Sequence, residues 1–133
     1  MADPVVRHPS PHGPMFSDPV EIRGPGAWIF VSGQVGLDAE GRLPEDFATQ
    51  THLCFEHVRR SLARAGATFA DVVQIRTYLT AFEADYETFS AIRSETFGAS
   101  LPASAAVEVT KLALGASIEI EAIAFLPADG AAA

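Results

Sequence analysis

Two stretches near the C-terminus alternate strictly in character, and a period of two restricts them to strands. The first, Leu101 to Val109, is entered through Pro102. It places Ala103, Ala105, Val107 and Val109 on one side, and Ser104, Ala106 and Glu108 on the other. The second runs from Ser117 to Phe125. Ile118, Ile120, Ala122 and Ala124 share one face, and Glu119, Glu121, Ile123 and Phe125 share the opposite one. Each strand thus has an apolar face and a face that mixes carboxylates with small or apolar residues. Chemistry is expected on or beside that mixed face.

The rest of the chain supplies what such strands need for burial. Residues 1–14 hold Pro4, Pro9, Pro11, Pro14 and Gly13, and read as an irregular arm. His8 and His12 lie there at a four-residue spacing, but the prolines exclude the helix that a metal pair would need. Val20–Arg23 and Ala27–Ser32 read as strands joined at Gly24-Pro25-Gly26 into a hairpin, the second ending at Gly33. Phe47, Thr51, Cys54, Val58, Leu62 and Ala65 recur at helical spacing, and Gly66 is placed for a left-handed cap. Cys54 falls on that apolar stripe and reads as a small buried hydrophobe rather than a nucleophile.

Val72 to Leu79 alternates again, with Gln74, Arg76 and Tyr78 on one face. A second helix follows from an Asp85 cap through Tyr86, Phe89, Arg93, Thr96 and Phe97, and Gly98 closes it. The order is β-β-α-β-α-β-β over residues 15–126, one domain, with 127–133 a frayed tail. Both helices are crossovers, so the sheet is mixed and the helices share a face of it. The other face would carry Tyr78, Ala106, Ile123 and Phe125 uncovered. A closed symmetric assembly is the economical way to bury it.

Composition narrows the function. The net charge of −8 and the scattering of nine basic residues, of which only Arg59 and Arg60 adjoin, disfavour a nucleic-acid partner. No apolar run is long enough to span a bilayer, and the N-terminus has no apolar signal-peptide segment. One cysteine in 133 residues allows no intrachain disulfide and no cysteine zinc cluster, and a reduced, cytoplasmic setting is the default. No metal or cofactor is expected.

Val31-Ser32-Gly33-Gln34-Val35, the Pro102-Ala103 strand entry, Val107-Glu108-Val109 and Ile118-Glu119-Ile120-Glu121-Ala122-Ile123-Ala124 resemble the Rid family, also called YjgF or L-PSP endoribonuclease-like. The resemblance runs from about Met15 to Phe125. It implies a chorismate-mutase-like α+β fold, a homotrimer built around a barrel of sheets, and three clefts at the subunit boundaries. In the founding RidA subgroup that cleft hydrolyses reactive 2-imino or 2-aminoacrylate acids to 2-keto acids and ammonia. Glu121, Ser32 and Gly33 match the subgroup's pattern.

Other positions depart from it. The subgroup grips the substrate carboxylate with an arginine just after the Pro-Ala, and here that position is Ser104. Its N-terminal tyrosine falls on Phe16, with Ser17 retained, its cysteine on Ala106, and its helix asparagine on Ser90. A guanidinium offers a carboxylate two parallel charged donors, whereas serine offers one neutral donor. The expected activity is therefore that of an imine or enamine hydrolase (a deaminase) acting on a small molecule other than the simple 2-imino acids, unless another cation substitutes. Arg76 is the candidate, with pairing to Glu108, Glu119 or Glu121 as its competing role. Glu121 is the expected catalytic carboxylate, able to orient a water and carry a proton. A non-catalytic ligand-binding trimer is the alternative. An endoribonuclease fits poorly, for want of a cationic surface and of a His or Lys pair in the motifs.

Overall fold

The structure, a computed structural model, describes residues 3–128. Eight elements follow one another: β1 (Val5–Pro9), β2 (Ser17–Ile22), β3 (Gly26–Val35), α1 (Phe47–Arg64), β4 (Val72–Leu79), α2 (Phe82–Phe97), β5 (Ala103–Glu108) and β6 (Ile118–Pro127). The main sheet has the order β3-β6-β4-β5, and β1 and β2 form a separate two-stranded ribbon. β4 and β5 are parallel, as the α2 crossover requires, and β6 runs antiparallel to both of its neighbours. The fold is α+β with a mixed sheet, and both helices lie on one face of it.

The helices form for readable local reasons. Asp46 caps α1 by accepting the Thr49 N–H at 2.9 Å. At the other end Gly66, at φ 78°, lets the Ala67 N–H reach the Leu62 carbonyl and its own N–H reach that of Ala63, which closes the helix with a left-handed turn. Cys54, Val58 and Leu62 are fully buried on the expected stripe. They meet Ile75, Leu79, Ile118 and Ile120 from the sheet, while Phe55, Phe69, Phe89 and Phe97 pack as an aromatic cluster between the helices.

Several sequence-based expectations need correction. Residues 1–14 are not irregular throughout, because Val5–Pro9 pairs antiparallel with β2 despite its prolines. Arg7 explains this: its guanidinium donates to the carbonyls of Leu101, Ala70 and Val72 and ties the ribbon to the body. The hairpin expected between Val20–Arg23 and Ala27–Ser32 does not form. β3 is ten residues long and finds an equally long partner in β6, whereas β2 has only six residues. β3 also continues past Gly33 to Val35, and β6 holds Pro127 opposite Gly26. The expected tail beyond Ala128 lies outside the described residues. Finally, α2 begins at Phe82 rather than at an Asp85 cap. The cap comes from a distant strand, since Glu108 accepts the Phe82 N–H at 3.0 Å.

Two outcomes check this packing. Leu62→Ala removes a fully buried side chain, and should cost about 2–5 kcal/mol in urea unfolding. Burial, with the nearby Glu119 charge adding to it, pushes the Cys54 thiol up to about 12. Iodoacetamide at pH 8 should therefore label the native chain far more slowly than the urea-unfolded one. The folded-state value is raised, so the thiol's share of stability is complete below the ordinary thiol range near pH 8.5 and is lost as pH climbs from there.

Candidate functional site

The residues singled out from the sequence separate into two groups on opposite faces of the sheet. On the open face, away from the helices, Glu121 stands across from Arg76 in the β4–β6 register. The Tyr78 hydroxyl donates to Glu121 Oε1 at 2.5 Å, and Arg76 Nη1 lies 3.9 Å from the same oxygen. The bond to that carboxylate is the main reason the Tyr78 phenol is held above its usual range. Arg76 thus lies on the uncovered face as expected and meets one of the carboxylates expected to compete for it.

β3 is irregular where it passes this group. Its register moves from Val31 opposite Ala122 to Gln34 opposite Ile120, so Ser32 and Gly33 together face Glu121. Such a bulge leaves backbone groups outside the ladder. A Cβ on Gly33 would collide with the Glu119 carboxylate, so the absence of a side chain there is what admits Glu119 to the bulge. Glu119 has no hydrogen-bond or ion-pair partner among the described residues. The cleft beside these groups holds about 440 Å³ and is lined by Phe30, Ser32, Gln74, Arg76, Glu121 and Ile123. Phe30, Trp28 and Val107 bring an apolar character to the face, with Phe30 73% exposed and Trp28 50%.

The second group lies on the helix side, at the β5 edge. Ser104 is registered with Ile75, which is fully buried beneath the helices, and Ala106 with Thr77. Ser104, Ala106 and Glu108 therefore do not share a face with Glu121, and the single mixed face read from the sequence is corrected. Alternation alone fixed which β5 residues go together but not which set turns inward, because both sets are small. Ala106 is short enough to lie under the helix layer, and Glu108 turns toward the start of α2.

Ser17 anchors the N-terminal segment to this edge. Its hydroxyl donates to the Leu101 carbonyl at 2.6 Å, and its N–H to the Pro102 carbonyl at 3.1 Å. Phe16 lines a neighbouring open cleft of about 410 Å³ with Arg7, Ser17 and Leu101. Ser90 faces Met15, its hydroxyl 3.6 Å from the Met15 sulfur.

The residue that the sequence reading passed over is Arg93. It fell on the apolar stripe of α2 and helped to define the helix. In the structure it is 1% exposed, and its Nη1 donates to the Ser104 hydroxyl at 3.0 Å. A cation thus lies beside position 104, and it comes from α2, whereas Arg76 lies on the opposite face of the sheet. The signal was present, since an arginine on a buried helix face is rare without a purpose.

A family model described as Endoribonuclease L-PSP matches residues 9–126. A RutC family protein of Pyrococcus abyssi is 39% identical, over 88% of this chain and 90% of its own length. A 2-iminobutanoate/2-iminopropanoate deaminase of Mus musculus is 37% identical, over 90% of this chain and 86% of its own. Among solved structures, the Rid family protein YyfB of Yersinia pestis superposes with a TM-score of 0.84 at 32% identity, covering 93% of this chain and 100% of that one. With the mixed sheet, the paired crossover helices and the Ser-Gly bulge beside two carboxylates, this chain belongs to the Rid family, also called YjgF or L-PSP endoribonuclease-like.

Proposed function

We propose that the protein hydrolyses a small reactive imine or enamine to a carbonyl compound and ammonia, in clefts that a second copy of the chain completes. The observation that carries this reading is the Glu121–Tyr78 pair beside the Ser32–Gly33 bulge on an open cleft. Relatives named as imino-acid deaminases over most of their length support it.

The chemistry asks little of the protein. Water adds to the carbon of C=N, the nitrogen takes a proton, and the carbinolamine collapses to C=O and ammonia. An enamine enters the same route once it has tautomerised to the imine. Glu121 takes a proton from the attacking water and returns it to the leaving nitrogen, while the Tyr78 bond holds the carboxylate in place. The backbone at Ser32 and Gly33 anchors a carbonyl or carboxylate oxygen of the substrate. Glu119 is a second candidate for the base, since its carboxylate rests on the same bulge with no competing partner.

The helix-side group, Ser104, Ser90, Phe16, Ser17 and Ala106, cannot meet Glu121 within one protomer, because the sheet stands between them. It borders the free edge of β5, where a neighbouring copy is able to bring its own Glu121 and bulge. The exposed Phe30, Trp28 and Val107 give such an association its apolar surface. A homotrimer is the assembly the family resemblance implies. Phe16 lines an open cleft rather than filling one, which supports a site that admits a small molecule. A nucleolytic role is disfavoured by the net charge of −8 and by the position of Arg76 opposite Glu121.

Ammonia release from freshly generated imines tests the proposal. Glu121→Gln should lower turnover by about 10²–10⁴-fold, the range for a general acid–base group, and leave the assembly's mass in solution unchanged. If Glu119→Gln is the variant that loses turnover, the base is the neighbouring carboxylate. Full turnover in both variants, or none in the unmodified protein with any imine, sinks the proposal. Phe30→Asp should shift the assembled protein toward monomer in a light-scattering measurement and lower turnover with it.

A further inference from the structure

Arg93 has the largest side chain among the fully buried residues. A guanidinium stays charged throughout the physiological range, and buried charges are ordinarily paired with an anion. Among the described residues no carboxylate lies within ion-pair distance of it. Its partners are three hydroxyls: Ser104 at 3.0 Å, Ser90 at 3.0 Å and Tyr86 at 3.5 Å. The rings of Phe89 and Tyr86 lie 5.1 and 5.9 Å from the guanidinium carbon and offset part of the charge. The Nε–H is buried with no acceptor.

The direction of these bonds is what points to a ligand. A guanidinium only donates, so each hydroxyl accepts from it and must turn its own proton elsewhere. The Ser90 proton goes to the Met15 sulfur at 3.6 Å, a weak acceptor. The Ser104 and Tyr86 protons meet no acceptor among the described residues. Unlike the arginine, all three hydroxyl side chains are only partly buried. The result is a rim of O–H donors, polarised by one cation beneath it, at the free edge of β5.

We infer that Arg93, acting through Ser104, Ser90 and Tyr86, forms a binding site for a small carboxylate. The two oxygens of one carboxylate suit donors at the two ends of the guanidinium, and would draw Ser90 away from the sulfur. The site does the work of an arginine at position 104 from a different element. Its ligand identity rests on the hydrolase reading: the substrate is an imine or enamine that carries a carboxylate. Arg93 is thereby a residue that sets specificity, not a catalytic one.

Titration of the assembled protein with pyruvate, and with methyl pyruvate as its uncharged counterpart, tests the inference. The unmodified protein should bind pyruvate at least tenfold more tightly than the ester. Arg93→Gln should erase that preference. Because Arg93→Gln alters a buried site and is at risk of misfolding, the double variant Ser90→Ala with Ser104→Ala provides a second test. It keeps the guanidinium in place, removes two rim donors, and should reduce the preference severalfold. Equal binding of acid and ester by the unmodified protein, or an undiminished preference in the double variant, overturns the inference. So does a crystal structure of the assembly in which a neighbouring copy's carboxylate sits on the three hydroxyls. Pyruvate preference without imine turnover would leave this site standing and remove the hydrolase reading. Turnover indifferent to a carboxylate would do the reverse.

Discussion

β6 hydrogen-bonds along both of its edges, antiparallel to β3 on one side and to β4 on the other. That double pairing makes β3 and β4 parallel to each other although they are not neighbours, and so lets α1 cross between them as α2 crosses between β4 and β5. Both crossovers then place their helices on the same side of the sheet. The period of two in β6 does the remaining work. Ile118, Ile120, Ala122 and Ala124 turn under the helices and are buried, while Glu119 and Glu121 turn to the open face. A slip of one residue would exchange the sets and bury two carboxylates in the core, which holds the register firmly.

The two faces that follow carry opposite electrostatic problems. On the open side, two carboxylates share a bulged strand, with Tyr78 and Arg76 attending to one of them. On the helix side, a buried guanidinium is supported only by hydroxyls and aromatic rings. A lone protomer holds a donor-rich half and an acceptor-rich half that cannot reach each other across the sheet. In the assembly proposed above, the same halves would meet between copies and set opposite charges on the two walls of one cleft. Charge thus supports the proposed assembly alongside the exposed Phe30 and Trp28.

Much of this was legible in the chain alone. The stripe through Cys54, Val58 and Leu62 marked α1, and alternation marked β4, β5 and β6. The crossover rule then yielded the mixed sheet and the shared helix face. The misreadings share one cause, which is that they concern partners far apart in sequence. Val5–Pro9 is a strand because Arg7 reaches carbonyls more than sixty residues away. α2 starts at Phe82 because Glu108, twenty-six residues later, caps it. β3 leaves its neighbour β2 because β6 matches its length. Local propensity holds no information about any of these.

The site shows the same division. The family resemblance carried by motifs along the chain singled out Glu121, Ser32 and Gly33 and showed that position 104 lacks a guanidinium, because side-chain type and spacing are properties of the sequence itself. Which face each β5 residue takes was undecidable there, since Ser104 and Ala106 are hardly larger or more polar than Ala105 and Val107. Only the packing of α2 against β5 put Arg93 on the Ser104 hydroxyl, and only the sheet's position between them set that cation apart from Glu121. Charge in a protein acts through distance, and distance between remote residues exists only once the chain has folded.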